Sequence, residues 1–516
     1  MTAAEWGRTG PAAPAAGPAD SRWNWSLVAL GEYGAAGLVL LLMSGALLGP
    51  VFDPEQTGEV GWLRTLWLPV YALILLLVGL RMRSLRTIAV PALLAAPLLL
   101  LALVSSEWSI LPEVTVRRAV ALSFTTLFGL WLAARFSWRE AVGLVAGVSL
   151  VLAVGSCLMA LLAPEIGTHA TIHAGAWRGL WYEKNALGGA MALGVLACAC
   201  AARLTPEGGR VWLGGAALCA GLVVMSTSTT ALLALVMIGV GFALIGGMRR
   251  GAASAVTTVW MALVAAGLAA GVFALAPDLI FQALGKDPSL TGRTEIWDAV
   301  LRRVQERPVL GYGFGAFWED KGGPVGFVRN EVNWSAPTAH NGWLELLLSF
   351  GWTGVGLFAL HLLVVAGAGL LSIPRGPEAY WVVIFLALFV LFSLSESTIL
   401  QQNNLSWALY VMTGAKLLQR RAPEVVRKAA APGRAAAPAA PLAYAAPLGR
   451  PAAVPAAASN TWSLVLAGIM LAIFSKTWML VALGGGRVGW ESPAWFQAVF
   501  LPAYGIGAVL ALQRFP

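Results

Sequence analysis

Long apolar runs separated by short polar clusters repeat along most of the chain. A helix that crosses the hydrocarbon layer of a bilayer needs roughly 20 consecutive apolar residues. Runs of suitable length lie near 30–50, 66–80, 87–104, 119–134, 141–163, 186–202, 211–226, 231–247, 256–276, 351–372, 379–395 and 404–419. Two more follow at 462–483 and 494–512. The pattern predicts an all-α fold, a polytopic transmembrane helical bundle of about 12 core helices plus 2 appended C-terminal helices.

The polar clusters between the runs alternate in charge. Arg81, Arg83 and Arg86 share one loop, and Arg135 and Arg139 lie two helices later. Arg203 with Arg210, Arg249 with Arg250, and Arg375 continue the series, and Arg420, Arg421, Arg427 and Lys428 close the core. An intervening loop carries Asp53, Glu55 and Glu59. Because basic loops stay on the cytoplasmic side, this alternation places them and both termini in the cytoplasm.

Composition agrees. The 516 residues are 58% hydrophobic and 11% charged, with mean hydropathy +0.75, against about 25% charged in a soluble domain. The net charge of +9 sits in short inter-helix clusters, which reads as membrane topology and not as a nucleic-acid surface. The cysteines Cys157, Cys198, Cys200 and Cys219 lie in apolar runs, outside any metal-ligand spacing, and read as small packing residues. Residues 1–25 are Ala/Pro-rich and read as a disordered cytoplasmic tail; no cleavable signal pattern is present there. Residues 422–459 have the proline density of an extended cytoplasmic linker, which separates the core, 26–421, from a two-helix membrane appendage at 460–516.

The outer loops are unequal, and chemistry-bearing residues gather in two of them. In the long loop 277–350, Thr291–Glu306 has the period of an amphipathic helix, with Ile296, Trp297, Val300, Leu301 and Val304 on one face and Thr291 as its N-cap. Arg293 then falls in the first turn, where the helix dipole disfavours a cation unless an anion lies nearby; Glu295 and Asp298 are the local candidates to pair with it. The segment Gly311-Tyr312-Gly313-Phe314-Gly315 either cradles a phosphate with backbone N–H groups or packs tightly on the membrane surface. His340 opens the following helix and has the side chain best able to exchange a proton near neutral pH. The loop 165–185 holds Arg178, Glu183, Lys184 and Asn185 among Trp177, Trp181 and Tyr182, either interface anchors or a phosphate-contacting group. His169 and His173 are four apart but lack a third metal ligand at a familiar spacing. His361 reads as a packed or water-contacting polar residue within a helix. Glu32 and Glu396 lie in or near apolar runs, where a carboxylate is costly and is functional or paired.

Three segments in order carry a family resemblance: Gly292-Arg293-Thr294-Glu295-Ile296-Trp297, then Pro308-Val-Leu-Gly311-Tyr312-Gly313, then Ala339-His340-Asn341. Nine residues follow Asn341, and then come Gly351-Trp352-Thr353-Gly354. Together they resemble the O-antigen ligase and polysaccharide polymerase superfamily over roughly residues 30–420. Trp108-Ser109 with Arg117-Arg118, and Arg178-Gly179-Leu180 with Lys184-Asn185, look more like the exopolysaccharide-polymerase branch. The resemblance implies a metal-independent, cofactor-free, inverting membrane glycosyltransferase. Its donor would be a glycan on undecaprenyl diphosphate and its acceptor another lipid-linked repeat, or lipid A core in a ligase. It would sit in the bacterial inner membrane with a periplasmic active face, beside flippase and chain-length regulator partners. Arg293 and His340 would be catalytic, Arg293 as diphosphate ligand and His340 as base or acceptor positioner; Arg178, Lys184, Asn185, Arg117, Asn341 and Glu295 would bind the diphosphate or glycan of the substrate. Asn341 would orient His340 or cap its helix. The turn Ser226–Thr230 departs from the family, for Thr229 stands where many relatives carry a second cation; Lys184, Arg178 and Arg117 are the candidates to replace it. The competing classes are a transporter or lipid flippase, and a nonenzymatic scaffold of a polysaccharide complex.

Overall fold

The computed structural model describes residues 27–46, 61–170, 173–275, 293–320, 322–332 and 336–419. The N-terminal tail, the acidic loop of Asp53, the N-cap Thr291, the linker and the two-helix appendage lie outside the described residues. Within them the chain is helical, and the sole β pairing is an isolated bridge between Thr168 and Trp177.

The core helices are α1 (Leu27–Met43), α2 (Gly61–Leu80), α3 (Ala89–Val104), α4 (Pro112–Arg135), α5 (Trp138–Leu162), α6 (Lys184–Leu204), α7 (Gly209–Ser226), α8 (Thr229–Met248) and α9 (Ala252–Leu275). Two short helices of the long loop follow, α10 (Arg293–Val304) and α11 (Pro324–Val332). The core then closes with α12 (Gly342–Ser372), α13 (Ala379–Ser393) and α14 (Leu405–Leu418). Seven of the described helices are long and apolar enough to cross a membrane, and five shorter apolar ones accompany them. They occupy the twelve core stretches that the apolar pattern marks out. The chain is a multi-pass, all-helical integral membrane protein.

Several polar groups inside the bundle pair with one another, as a low-dielectric interior favours. Trp407 donates its indole N–H to Thr126 Oγ1 at 3.0 Å, and Trp381 donates to Thr413 Oγ1 at 3.1 Å. His361 Nδ1 lies 2.7 Å from the Tyr410 hydroxyl. Helices α4 and α14 approach closely because Gly129 has no Cβ; an added one would lie 2.6 Å from the Ala408 carbonyl oxygen.

The basic loops meet at one end of this bundle. Buried Glu32 accepts from Arg81 (Nε 2.6 Å, Nη2 2.9 Å) and from Arg135 Nε at 2.5 Å. Arg139 pairs with Glu207 at 3.3 Å, and Arg249 donates to the Ile373 carbonyl at 2.7 Å. A capping box of Ser137 and Glu140 turns the chain from α4 into α5 at the same end. Glu32 is therefore the paired kind of membrane carboxylate. Removing it strands two guanidinium groups, although Arg81, 37% exposed, keeps some water. Glu32→Ala should cost about 2 kcal/mol once that screening is allowed for. Thermal unfolding in nanodiscs checks this, and a melting point equal to wild type would refute it.

Helix α12 starts at the opposite end, with Asn341 as N-cap: its Oδ1 accepts the N–H groups of Trp343 (3.0 Å) and Leu344 (3.3 Å). It breaks at Gly351, whose φ of 60° and ψ of −156° are not helical. The break would orphan backbone groups, and the segment Pro308–Gly313 takes them up. Tyr312 N–H donates to Leu348 O (2.7 Å), Gly313 N–H to Ser349 O (3.1 Å), and Trp352 N–H to Pro308 O (2.8 Å). The glycine-rich segment is thus a packing element that repairs a helix break, and its amides are committed to protein carbonyls and serine hydroxyls. Trp108 fastens the far side by donating to Leu310 O at 2.8 Å, and Arg118 donates to Gly315 O at 2.8 Å and pairs with Glu319.

Helix α10 packs much as its period foretells. Ile296, Val300 and Val304 are buried against Val325 and Val328 of α11. Leu301 is the correction: it is 43% exposed, and the small Ala299 holds the buried position instead.

Candidate active site

The end of the bundle away from the basic loops opens into a cavity of about 1030 Å³. Its apolar lining includes Phe385, Phe389 and Phe392 of α13, which recur at helical spacing, and Leu193 of α6. Its polar lining includes His173, Glu183, Asn185, Arg293, His340, Glu396, Thr398 and Asn404. Such a volume exceeds what one sugar needs and reaches the top of the usual ligand range of about 300–1,000 Å³.

Arg293, His340 and Glu396 come from three elements and meet. Arg293, first residue of α10, places Nη2 3.4 Å from Glu396 Oε1. His340 Nδ1 lies 3.7 Å from Glu396 Oε2. The anion that Arg293 needs at a helix N-terminus is therefore neither Glu295 nor Asp298 but a residue about a hundred positions on.

His340 is held there by its neighbours. Its φ is +48°, a left-handed conformation that non-glycine residues adopt only where surroundings enforce it. The preceding peptide is gripped on both sides: Ala339 N–H donates to Glu345 Oε1 at 2.7 Å, and Ala339 O accepts from Trp297 Nε1 at 2.9 Å. Glu345 also accepts from Trp318 Nε1 at 3.0 Å and from Ser397 Oγ at 3.3 Å. One carboxylate thus ties the His340 loop to the Glu396 segment. The acid in the first turn of α12 was the available sign of this role; its partners were not readable from the chain.

The other predicted residues are spread out. Asn185 lines the cavity. Asn341 caps α12. Arg178 braces its own loop, donating to Ile166 O at 2.7 Å and Glu165 O at 3.2 Å. Arg117 is exposed on α4 and Glu295 accepts from Thr294 Oγ1 at 3.0 Å; neither lines the cavity. Lys184 is buried, with Nζ 3.3 Å from Thr227 Oγ1, so its cation reaches the turn that contains Thr229. His169 Nε2 accepts the Lys184 backbone N–H at 3.3 Å, and burial lowers its pKa, which favours the neutral acceptor form. The rings of His169 and His173 are 5.8 Å apart, and no group of three metal-capable side chains gathers among the described residues.

Residues 214–359 match the family model described as O-antigen ligase. The chain is also 28% identical over 344 residues to the exopolysaccharide production protein ExoQ of Rhizobium meliloti, an alignment covering 61% of this chain and 74% of that protein. The resemblance to the O-antigen ligase and polysaccharide polymerase superfamily holds. Both matches support a membrane ligase or polymerase of O-antigen or exopolysaccharide. The O-antigen ligase match spans Arg293, His340 and the broken part of α12, and it stops short of Glu396.

Proposed function

We propose that this protein is a metal-independent, inverting glycosyltransferase that moves a glycan from undecaprenyl diphosphate to an acceptor hydroxyl, acting as a surface-polysaccharide polymerase. The observation that carries this reading is the meeting of Arg293, Glu396 and His340 at a large cavity that is lined by aromatic as well as polar side chains. A lipid diphosphate is already a competent leaving group, so the protein must supply charge and a base. His340 takes the acceptor proton, the acceptor oxygen bonds to the anomeric carbon, and the carbon–oxygen bond to the diphosphate breaks. Attack from the face opposite the leaving group inverts the centre. The departing diphosphate is stabilised by Arg293, with Lys184 supplying from a neighbouring helix the cation that Thr229 does not. In this reading the basic loops and both termini are cytoplasmic, the cavity faces the periplasm, and the membrane is the bacterial inner membrane. A flippase and a chain-length regulator are the expected partners.

The polymerase form is preferred because the named relative is an exopolysaccharide production protein. The ligase form has the His340-Asn341 to Gly351 pattern in its favour. Purified protein in proteoliposomes, given an undecaprenyl-diphosphate glycan and two acceptors, separates them. Growth of lipid-linked chains supports the polymerase, transfer only to lipid A core supports the ligase, and transfer to neither overturns the proposal.

A further inference from the structure

Glu396 touches both groups on which the proposed transfer depends. Its Oε1 is 3.4 Å from Arg293 and its Oε2 is 3.7 Å from His340. The segment around it is built firmly yet left incomplete. Ser397 is tied to Glu345, while the buried hydroxyls of Ser395 and Thr398 on either side have no hydrogen-bond partner. Thr398 lines the same cavity. Two orphaned hydroxyls flanking one carboxylate are costly in a protein interior unless something polar completes them. His173, Tyr182 and Glu183, from the loop before α6, are the other titratable groups that line the cavity.

A carboxylate paired through one oxygen with a guanidinium N–H competes for the place a phosphate would take. The pair is partly exposed, 21% for Arg293 and 36% for Glu396, so it is weak enough for a multiply charged anion to displace. We propose that Glu396 is a positioning residue that occupies Arg293 until an anion of the diphosphate class displaces it, and then serves His340 alone. The inference rests on the glycosyl-transfer reading and deepens it. While Arg293 is paired, it neutralises much of the carboxylate. Once the diphosphate takes Arg293, Glu396 is free to hold His340 Nδ1–H, direct Nε2 at the acceptor, and stabilise the imidazolium that forms. The base is then fully set only when donor is present, which disfavours deprotonation of water at an empty site.

The test uses the full chain in nanodiscs and inorganic pyrophosphate as the anion probe, followed by calorimetry. Glu396→Gln removes the competitor and should tighten pyrophosphate binding about three- to tenfold, whereas Arg293→Ala should lose it. On the same preparations, glycan transfer by Glu396→Gln should fall in kcat by about 10- to 100-fold with donor KM unchanged or lower. Glu396→Asp should regain part of the kcat, and it serves as the second variant because a shorter side chain also loosens the grip on Arg293. A merely structural role would weaken binding and kcat together. Unchanged or weaker pyrophosphate binding in both Glu396 variants, or full kcat in Glu396→Gln, overturns the proposal. The two readings fail separately: if wild type transfers no glycan, the transferase reading falls, and the displacement of Glu396 is still decided by the pyrophosphate titration.

Discussion

Replacing His340 with alanine should abolish glycan transfer while leaving the protein folded in the membrane. Loss of a general base costs about 10²–10⁴ in rate. The fold has little invested in the side chain: the ring is 29% exposed, and among the described residues its ion-pair partner is Glu396. What the fold does use is the backbone, through Ala339 and the Asn341 cap, and a side-chain substitution leaves both in place. The left-handed φ of 48° is already strained for histidine, so alanine adds little. His340→Asn is the sharper companion, because asparagine tolerates that conformation well and cannot act as the base. Both variants should melt near wild type and show transfer reduced by at least two orders of magnitude in the proteoliposome assay. Normal polysaccharide length and attachment in a strain expressing His340→Ala would sink the mechanism.

The frame of the molecule was legible because a bilayer makes hydrophobicity a length measurement. A run of apolar residues must become a helix there, since no other segment satisfies its own backbone. The same logic made Glu32 readable as functional or paired, a choice that its contacts with Arg81 and Arg135 decide, and the basic loops readable as one side. The site was legible in its parts and not in its connections. Arg293 demanded an anion, and the sequence offered the near neighbours Glu295 and Asp298. The structure supplies Glu396, because folding brings the start of α10 against the segment after α13. Glu396 itself stood out as a carboxylate in an apolar setting, yet nothing in its local sequence said which cation it faced. The glycine-rich segment failed in the opposite way. Its local pattern suits either an anion or a tight turn, and only the break in α12 decides that its amides are spent on Leu348 and Ser349. Arg117 and Arg118 show the same limit. They are adjacent, but helix phase sends Arg118 to Gly315 and Glu319 and leaves Arg117 exposed.

The second large effect belongs to that helix break. Gly351→Ala should leave the protein poorly folded, although it adds one methyl group. The backbone there sits at φ 60° and ψ −156°, a region essentially restricted to glycine and costing other residues about 1–3 kcal/mol. An added Cβ would also run into the backbone of Pro308 and Val309. Relief would require the 308–313 segment to back away, giving up hydrogen bonds such as Trp352 N–H to Pro308 O. Each such bond lost in a dry interior costs about 1–3 kcal/mol more, so a total near 5 kcal/mol is expected, comparable with the whole stability of a small domain. Gly356, five residues along the same helix, is the control: a Cβ there meets nothing within 4 Å, and alanine should be silent or mildly stabilising. Yield and melting temperature of the two variants in nanodiscs measure the contrast. Equal stability would mean that the Pro308–Gly313 segment does not complete α12. Gly351, the first glycine after His340-Asn341 in the family pattern, would then need a catalytic explanation. A large difference confined to Gly351 makes that glycine a structural requirement, which fixes the start of α12 and with it the position from which His340 faces Glu396.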